Sequence, residues 1–212
     1  MKITWLGHSC FLLEDSKGKQ LLTDPFDATL GYEVYKGYPD IATISHNHFD
    51  HNYTKELNDN CKIIDKIGTY NTDEIYVKGT PSYHDKNKGL KRGDNIIFTF
   101  RMDSYSLCHL GDLGHKLSNN DIEAIGDVDI LFIPVGGNYT IDGKEASELT
   151  KKINPKIVIP MHYKTSKVSL PLDGVETFVM NMKNALKIDS NTLLINDKIK
   201  ESQSVKILNY IY

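Results

Sequence analysis

The sequence predicts an α/β protein built on β-sheets, and three observations support this fold class. The first half of the chain consists mainly of short apolar or alternating runs separated by polar turns, a pattern typical of strands. Beyond residue 121, strand-like and helical segments alternate. The 212 residues, 40% of them hydrophobic and 25% charged, suit one globular domain over residues 1–212. Together these features favour a sheet-based α/β sandwich.

The first half of the chain contributes strands. Residues 2–6, 10–14 and 20–23 predict a three-stranded meander whose last two strands form a hairpin. Residues 41–45 predict a strand that runs directly into the densest polar cluster of the chain. Further candidate strands follow at residues 61–65, 74–79, 95–101 and 104–110.

The second half adds helices between strands. Asp142 with Glu145 three residues later is an N-cap signal for the second of the predicted helices. Helices are expected at 119–126, 144–153 and 174–187, and strands at 129–134, 156–160, 191–196 and 205–211.

Charge and cysteine content narrow the function classes. A formal charge of -3 disfavours proteins that grip nucleic acid, which are usually basic. The three cysteines lie far apart without a C-x-x-C spacing, which suits a reducing compartment. The N-terminus shows no secretory signal, and no apolar run approaches the length of a membrane span. We therefore expect a cytoplasmic protein that does not enter a membrane.

Residues 46–51 form a cluster of metal-ligand type. His46 and His48 are two apart in an extended segment, so their side chains can converge on one point. If the chain then turns, Asp50 and His51 can aim at a neighbouring point. Imidazole and carboxylate are ligands that suit Zn²⁺ and related first-row cations. The other interpretation is a polar surface loop, but four such residues at this spacing rarely meet by chance.

This H-x-H-x-D-H pattern after a short strand resembles the signature of the metallo-β-lactamase superfamily. That resemblance implies a four-layer αββα sandwich. The segments 5–9 and 22–26 resemble the superfamily's opening strands, and 84, 111–112 and 160–163 resemble its remaining ligand motifs, in the expected order. The segments 111–115, 134–137 and 161–163 are most similar to the branch of small, single-domain metal-dependent hydrolases that includes ascorbate-6-phosphate lactonase.

The resemblance implies a site for two metal ions. Residue by residue, it assigns His46, His48 and His84 to the first ion, Asp50, His51 and His162 to the second, and Asp112 to a bridge between them. A catalytic zinc takes about three protein ligands plus water, so seven candidates suggest two ions. Zn²⁺ is the first expectation, and Mn²⁺ or Fe would also suit the carboxylate bridge.

Taken singly, several of these residues allow another interpretation. His84 could be a turn histidine, and Asp112 a strand-end cap. His162 follows a buried strand, a common place for functional residues. Asp24 either orients the metal loop by hydrogen bonding or forms an Asp-Pro turn. His8 is expected to support the metals or face the substrate.

Other residues near these motifs have weaker signals. His115 is expected, like His8, to support the site or face the substrate. His109 should be a buried structural histidine, and Cys108 an inert core thiol. The basic residues of segment 86–92 could receive an anionic group or could simply be solvated. The pair Gly136 and Gly137 could let the backbone approach the substrate, or could be ordinary loop residues before the helix.

The implied activity is hydrolysis of an ester, lactone or phosphodiester bond in a small molecule, which could be anionic. Two ions sharing a water would generate a hydroxide nucleophile, so no serine or cysteine nucleophile is needed. Asp50 or Asp112 would shuttle the proton. The absence of a G-x-S-x-G motif agrees with this chemistry.

Three other functions stay open. A nuclease of the same fold would usually carry an added arm and a basic face. A di-iron oxidoreductase is disfavoured because in the flavoproteins that the fold resembles a glutamate replaces the histidine at the position of His48. A metal-binding module without turnover is the third. The sequence leaves the substrate and the oligomeric state undetermined.

Overall fold

The computed structural model describes residues 1–72, 75–196, 198–200 and 202–210. In chain order the strands are β1 Lys2–Gly7, β2 Cys10–Glu14, β3 Gln20–Thr23, β4 Ile41–Thr43, β5 Lys62–Ile64, β6 Gly68–Asn71, β7 Tyr76–Tyr83, β8 Asp94–Met102, β9 Tyr105–His109, β10 Ile130–Pro134, β11 Ile157–Met161, β12 Ala185–Ile188, β13 Thr192–Leu194 and β14 Ser204–Leu208. The helices are α1 Asn119–Ile125, α2 Gly143–Ile153 and α3 Glu176–Asn181, and a 3₁₀ turn spans Ala28–Leu30.

The strands form two sheets. The first has the order β13-β1-β2-β3-β4-β5, and the second has the order β12-β14-β11-β10-β9-β8-β7-β6. The predicted hairpin of β2 and β3 is present, with Leu12 opposite Leu22. β9, β10 and β11 are parallel neighbours, and both faces of β10 and β11 are apolar and buried, as expected of strands covered on two sides.

The main core lies between the two sheets. Because side chains alternate along a strand, Ile3, Trp5 and Phe11 of the first sheet point inward together. Phe11 meets Phe132 of the second sheet with ring centroids 4.5 Å apart. Burial of each such ring contributes about 1.5–3 kcal/mol. This shared core fixes the position of one sheet relative to the other.

Different layers cover the outer faces. α2 and α3 pack on each other, and α2 lies against β10. The expected capping box of α2 is present: Asp142 accepts from the Glu145 N–H, and the Glu145 side chain accepts from the Asp142 N–H. On the first sheet, a second cluster packs Leu22 and Cys10 against Leu30 of the 3₁₀ turn. The observed α/β sandwich of two sheets agrees with the predicted fold class.

One helix prediction was wrong over part of its length. Helical spacing predicted a helix over 174–187, but α3 ends at Asn181 and Met182 is already extended. Ala185–Ile188 is instead the edge strand β12, parallel to β14. Pairing with β14 therefore overrides the local pattern, and Leu186, expected on a buried helix face, is 53% exposed.

The bounds of the other predicted strands and helices differ from the observed bounds by a few residues. β6 was not predicted at all. The predicted strands 74–79 and 205–211 correspond to β7 and β14, although residues 74 and 211 lie outside the described residues. In the described part of the chain, no helix combines the length and apolarity that a membrane crossing needs.

Candidate metal centre

The predicted ligands meet at one edge of the sandwich, each just beyond a strand. His46, His48, Asp50 and His51 follow β4, His84 follows β7, Asp112 follows β9 and His162 follows β11. β7, β9 and β11 run in the same direction, so their carboxyl ends lie at the same edge of the second sheet. The fold therefore brings together residues that are up to 116 positions apart in sequence.

The predicted ligand atoms form two groups, and a third group combines Asp24 with His46 and His51. His46, His48 and His84 each offer an atom within 4.8 Å of the others. A second group, with atoms equally close, contains His8, Asp50, His51 and His162. The first group is the one that the resemblance implies for the first ion. The second contains the three implied ligands and, in addition, His8.

Asp112 lies between the groups. Its Oδ2 is 3.2 Å from His84 Nε2, 3.2 Å from His51 Nε2 and 3.1 Å from His162 Nε2. His46 Nε2 is 3.8 Å from the same oxygen. One carboxylate oxygen is thus close to nitrogens of both groups, which is the position that a bridging ligand needs.

These separations fit the binding of metal ions. Two ligand atoms that each lie about 2.0–2.1 Å from one ion, at 90–109° to each other, are roughly 2.8–3.4 Å apart. The distances around Asp112 Oδ2 are in or near this range. Among the described residues, His46 Nε2, His51 Nε2 and Asp112 Oδ1 are buried polar atoms without a hydrogen-bond partner. Buried polar atoms normally have partners, so these atoms fit a cation.

The pKa shifts within the cluster also favour the binding of cations. Burial lowers the pKa of His46 to about 2, and nearby His51 adds to the shift, so the His46 ring is neutral at pH 7. Burial raises the pKa of Asp112, but His162 and His51 outweigh it and hold that pKa well below its ordinary value. Burial lowers the pKa of His51, but Asp112 and Asp50 raise it well above its ordinary value. An ionised buried carboxylate such as Asp112 attracts cations.

Asp24 supports the metal loop from beneath. It is fully buried with a left-handed φ of 39°. Its Oδ1 accepts from the Ser45 N–H at 2.8 Å, and its Oδ2 accepts from Ser45 Oγ at 2.6 Å and lies 2.9 Å from His51 Nδ1. This contact holds the proton on Nδ1 and leaves His51 Nε2 free to face Asp112. The structure thus favours the orienting role for Asp24 over a simple turn.

Asn95 was not predicted and holds the Asp112 loop. Its Oδ1 accepts from the Asp112 N–H at 2.9 Å. Its amide donates to Ser82 Oγ at 2.7 Å and to the Leu110 carbonyl at 2.9 Å. Asn95 lies on β8, whereas Asp112 follows β9, 17 residues later. No local sequence signal marks this contact.

Asp85, also not predicted, organises the segment after His84. Its carboxylate accepts from the backbone N–H groups of residues 87, 89, 91 and 92 at 2.7–3.2 Å. Two of the basic side chains of segment 86–92 contact residues elsewhere in the chain. Lys86 pairs with Glu145 at 2.7 Å, and the Arg92 guanidinium lies 4.4 Å from the Tyr139 ring centroid.

The two remaining predicted histidines form hydrogen bonds with backbone groups. Half-buried His115 accepts at Nε2 from the Tyr83 N–H, at 3.2 Å, next to His84. His109 is the expected buried structural histidine: its Nε2 donates to the Ser9 carbonyl at 2.9 Å, and its Nδ1 accepts from the Gly111 N–H. Buried Cys108 has its pKa raised by burial, as expected of an inert thiol.

The loops of His8 and His162 are held in left-handed conformations, with φ of 51° at both residues. The His8 carbonyl accepts from Trp5 Nε1 at 3.0 Å and from the His162 N–H at 3.3 Å. A Cβ on Gly136 would collide with the His162 carbonyl oxygen. The close approach at Gly136 is therefore to the protein's own chain.

A groove of about 1130 Å³ opens beside the first group of ligands. His46 and His48 line it at the metal centre, and segments 63–67 and 92–96 line it farther out. Its side chains are mixed in character, with Ile67 57% exposed and Arg92 half-buried. The groove connects His46 and His48 with the surface of the protein.

The chain matches known proteins over most of its length. Residues 2–162 match the family described as the Beta-lactamase superfamily domain. Two proteins named metal-dependent hydrolases are similar. The one from Carboxydothermus hydrogenoformans is 33% identical over 78% of this chain and 85% of its own length, and the one from Methanosarcina barkeri is 31% identical over 95% and 97%. A solved structure from Thermotoga maritima, assigned as a Zn-dependent hydrolase of the metallo-β-lactamase superfamily, has a TM-score of 0.82 and 38% identity. That match covers 98% of this chain and 97% of the other.

Proposed function

This chain belongs to the metallo-β-lactamase superfamily and is a metal-dependent hydrolase, and we propose that it binds two divalent ions to cleave an ester, lactone or phosphodiester bond in a small molecule. The observation that carries the proposal is the position of Asp112 Oδ2, within 3.1–3.2 Å of His51, His84 and His162. A carboxylate oxygen this close to nitrogens of both ligand groups lies where a ligand shared by two neighbouring ions would lie, and this position supports the proposal.

The residues have distinct roles in this proposal. His46, His48 and His84 hold the first ion, Asp50, His51 and His162 hold the second, and Asp112 joins them. Bound divalent ions lower the pKa of a shared water and polarise the substrate's carbonyl or phosphoryl oxygen. Asp24 keeps the His51 ring in its orientation, and Asp50 or Asp112 transfers the proton to the leaving group.

The groove supports a small-molecule substrate. Its volume of about 1130 Å³ is slightly above the roughly 300–1,000 Å³ of typical small-molecule sites. Arg92 and Lys66 on its wall offer contacts to an anionic group, while Asp65 and Asp94 lie on the same wall and oppose a polyanion. A nuclease is disfavoured for the same reason and because the formal charge of the chain is -3. We also propose a cytoplasmic location, which three buried, free cysteines support.

Zn²⁺ is our first choice of metal, because five of the seven ligands are imidazoles. Mn²⁺ and Fe remain alternatives that suit the carboxylates. The nearest branch is proposed to be that of ascorbate-6-phosphate lactonase, on the sequence motifs already described.

The test is a substrate panel on metal-loaded protein. The metal-depleted chain is reloaded with Zn²⁺, Mn²⁺ or Fe²⁺ and assayed on nitrophenyl esters, lactones and phosphodiesters, with short RNA and DNA as a separate arm. We expect turnover of a small ester, lactone or phosphodiester, lost in His48→Ala and retained in Asp129→Asn, since Asp129 lies at the end of β10 opposite the ligands. Turnover of nucleic acid alone would favour the nuclease. Protein that holds two ions and hydrolyses nothing on the panel would favour the metal-binding module.

A further inference from the structure

His8 stands apart from the seven predicted ligands because the superfamily motifs do not assign it to a metal. It lies in the turn between β1 and β2 and is 1% exposed. Its Nε2 is 3.2 Å from Asp50 Oδ2, and its ring centroid is 4.2 Å from that of His162. It therefore faces two ligands of the second ion at once.

The contact of His8 is to the oxygen of Asp50 that also faces the cluster. Asp50 Oδ2 is 3.6 Å from His51 Nε2 and 3.2 Å from His8 Nε2. The 3.2 Å separation equals the distance between His51 Nε2 and Asp112 Oδ2, two atoms already assigned to the same ion.

Backbone contacts fix His8 in this place. Its φ of 51° is a conformation that non-glycine residues rarely adopt, and such strain persists where the surroundings enforce it. Trp5 Nε1 and the His162 N–H both donate to its carbonyl. Gly7, with φ of 108°, allows the preceding turn, because a Cβ there would lie 2.5 Å from the Tyr32 ring. These contacts fix the backbone of His8 beside Asp50 and His162.

We propose that His8 is a further protein ligand of the second metal ion, beside Asp50, His51 and His162. The proposal rests on the proposed two-ion function. With Asp112 as the bridge, the second ion would have five protein donors. That number exceeds the four positions that zinc ordinarily takes, and it favours an ion of higher coordination number such as Mn²⁺ at this site.

The decisive comparison is between two substitutions at one position. His8→Gln keeps an N–H donor near the position of Nε2, so it preserves a hydrogen bond to Asp50, but a glutamine amide is a poor metal ligand. His8→Ala removes both. If His8 only oriented Asp50, His8→Gln would keep metal affinity. If His8 is a ligand, both variants lose it equally. Asp129→Asn is the control, because Asp129 precedes β10 at the end of the sheet opposite the ligands.

The experiment titrates metal-depleted full-length protein with Mn²⁺ and with Zn²⁺, by calorimetry and elemental analysis. We expect two ions in wild type and in Asp129→Asn. In His8→Gln and His8→Ala we expect the second ion to bind more than 100-fold more weakly, beyond the 10–100-fold that loss of an outer hydrogen-bond partner costs. The first ion should still bind to His46, His48 and His84, which shows that the variants are folded.

Two results would overturn the inference. If His8→Gln holds the second Mn²⁺ with a loss of 100-fold or less, His8 is not a ligand and the two-ion proposal stands. If wild type binds fewer than two ions of either metal, the two-ion proposal fails together with the inference. A visible spectrum of the Co²⁺-loaded protein adds a second readout, because removal of a ligand changes the d–d absorption of the second ion whereas a lost hydrogen bond leaves its coordination number unchanged.

Discussion

Asp24→Asn probes how the buried carboxylate controls the metal centre. Asp24 accepts three hydrogen bonds, from the Ser45 N–H, from Ser45 Oγ and from His51 Nδ1. Asparagine keeps the shape and tolerates the left-handed φ of 39°. Its single oxygen stays opposite the Ser45 N–H, so its NH₂ group replaces Oδ2.

This exchange reverses the donor and the acceptor in the hydrogen bond between residue 24 and His51. The new NH₂ group can only donate, so His51 Nδ1 has to accept and the ring proton moves to Nε2, the atom that faces Asp112. The loss of a charge-assisted hydrogen bond costs about 1.5–3 kcal/mol. The wrong tautomer of His51 weakens metal binding by about 10–100-fold, or roughly 1.4–2.7 kcal/mol.

Calorimetric titration of metal-depleted protein with Zn²⁺ measures the affinity, and urea unfolding in chelator measures the stability. The matched control is Asp129→Asn, because Asp129 also accepts from a backbone N–H, that of Ser106, and pairs with Lys156 at 2.6 Å. It should lose stability while retaining metal affinity. An Asp24→Asn variant that binds two ions as tightly as wild type would refute this account of His51.

Three further predictions concern the supports of the site. Gly136→Ala should lower the free energy of unfolding by about 1–3 kcal/mol and weaken metal binding, because the new methyl group displaces the His162 carbonyl. Gly126→Ala, at a glycine with open space around it, should leave the metal affinity unchanged, and equal metal loss in both variants would contradict this reason. Chelation should lower the melting temperature in calorimetry, since each ion at a hundred times its Kd adds about 2.7 kcal/mol, and an unchanged temperature would argue against two bound ions. For Asp85, burial raises the pKa but four backbone N–H groups lower it below 3.8, so its stabilisation is complete above that pH and falls as the pH drops through the folded value. In urea unfolding from pH 7 to pH 3, the stability difference between wild type and Asp85→Ala should shrink only at the acid end, and a difference that grew there would contradict the sign.

Much of the fold could be predicted from the sequence, because the local sequence pattern and the tertiary structure favour the same strands and helices. β1 alternates buried apolar residues with more exposed ones, β2 and β3 are short apolar runs, and α2 has its capping box at the predicted place. The exception is β12, where Ala185–Ile188 has helical spacing but joins β14 through backbone hydrogen bonds that reach across some 20 residues. Pairing at that range leaves no trace in the local sequence.

The same division holds for the site. The cluster from His46 to His51 is local and could be predicted from spacing alone, whereas His84 and His162 needed the order of the superfamily motifs. The contacts of Asn95 and Asp85 could not be predicted, because an amide or carboxylate that binds distant backbone has no spacing rule. His8 was predicted near the metals, but only the structure shows its 3.2 Å contact with Asp50.

The most direct test of the two-ion centre is anomalous diffraction from crystals of protein loaded with Zn²⁺ or Mn²⁺, collected at the absorption edge of each metal. We predict two anomalous peaks, one on each side of Asp112 Oδ2 and about 3.5–4 Å apart, as in other two-metal sites. One peak is expected near His46 and His84, and the other near His51 and His162. A single peak, or no peak at this edge of the sandwich in fully loaded protein, would contradict the proposed centre.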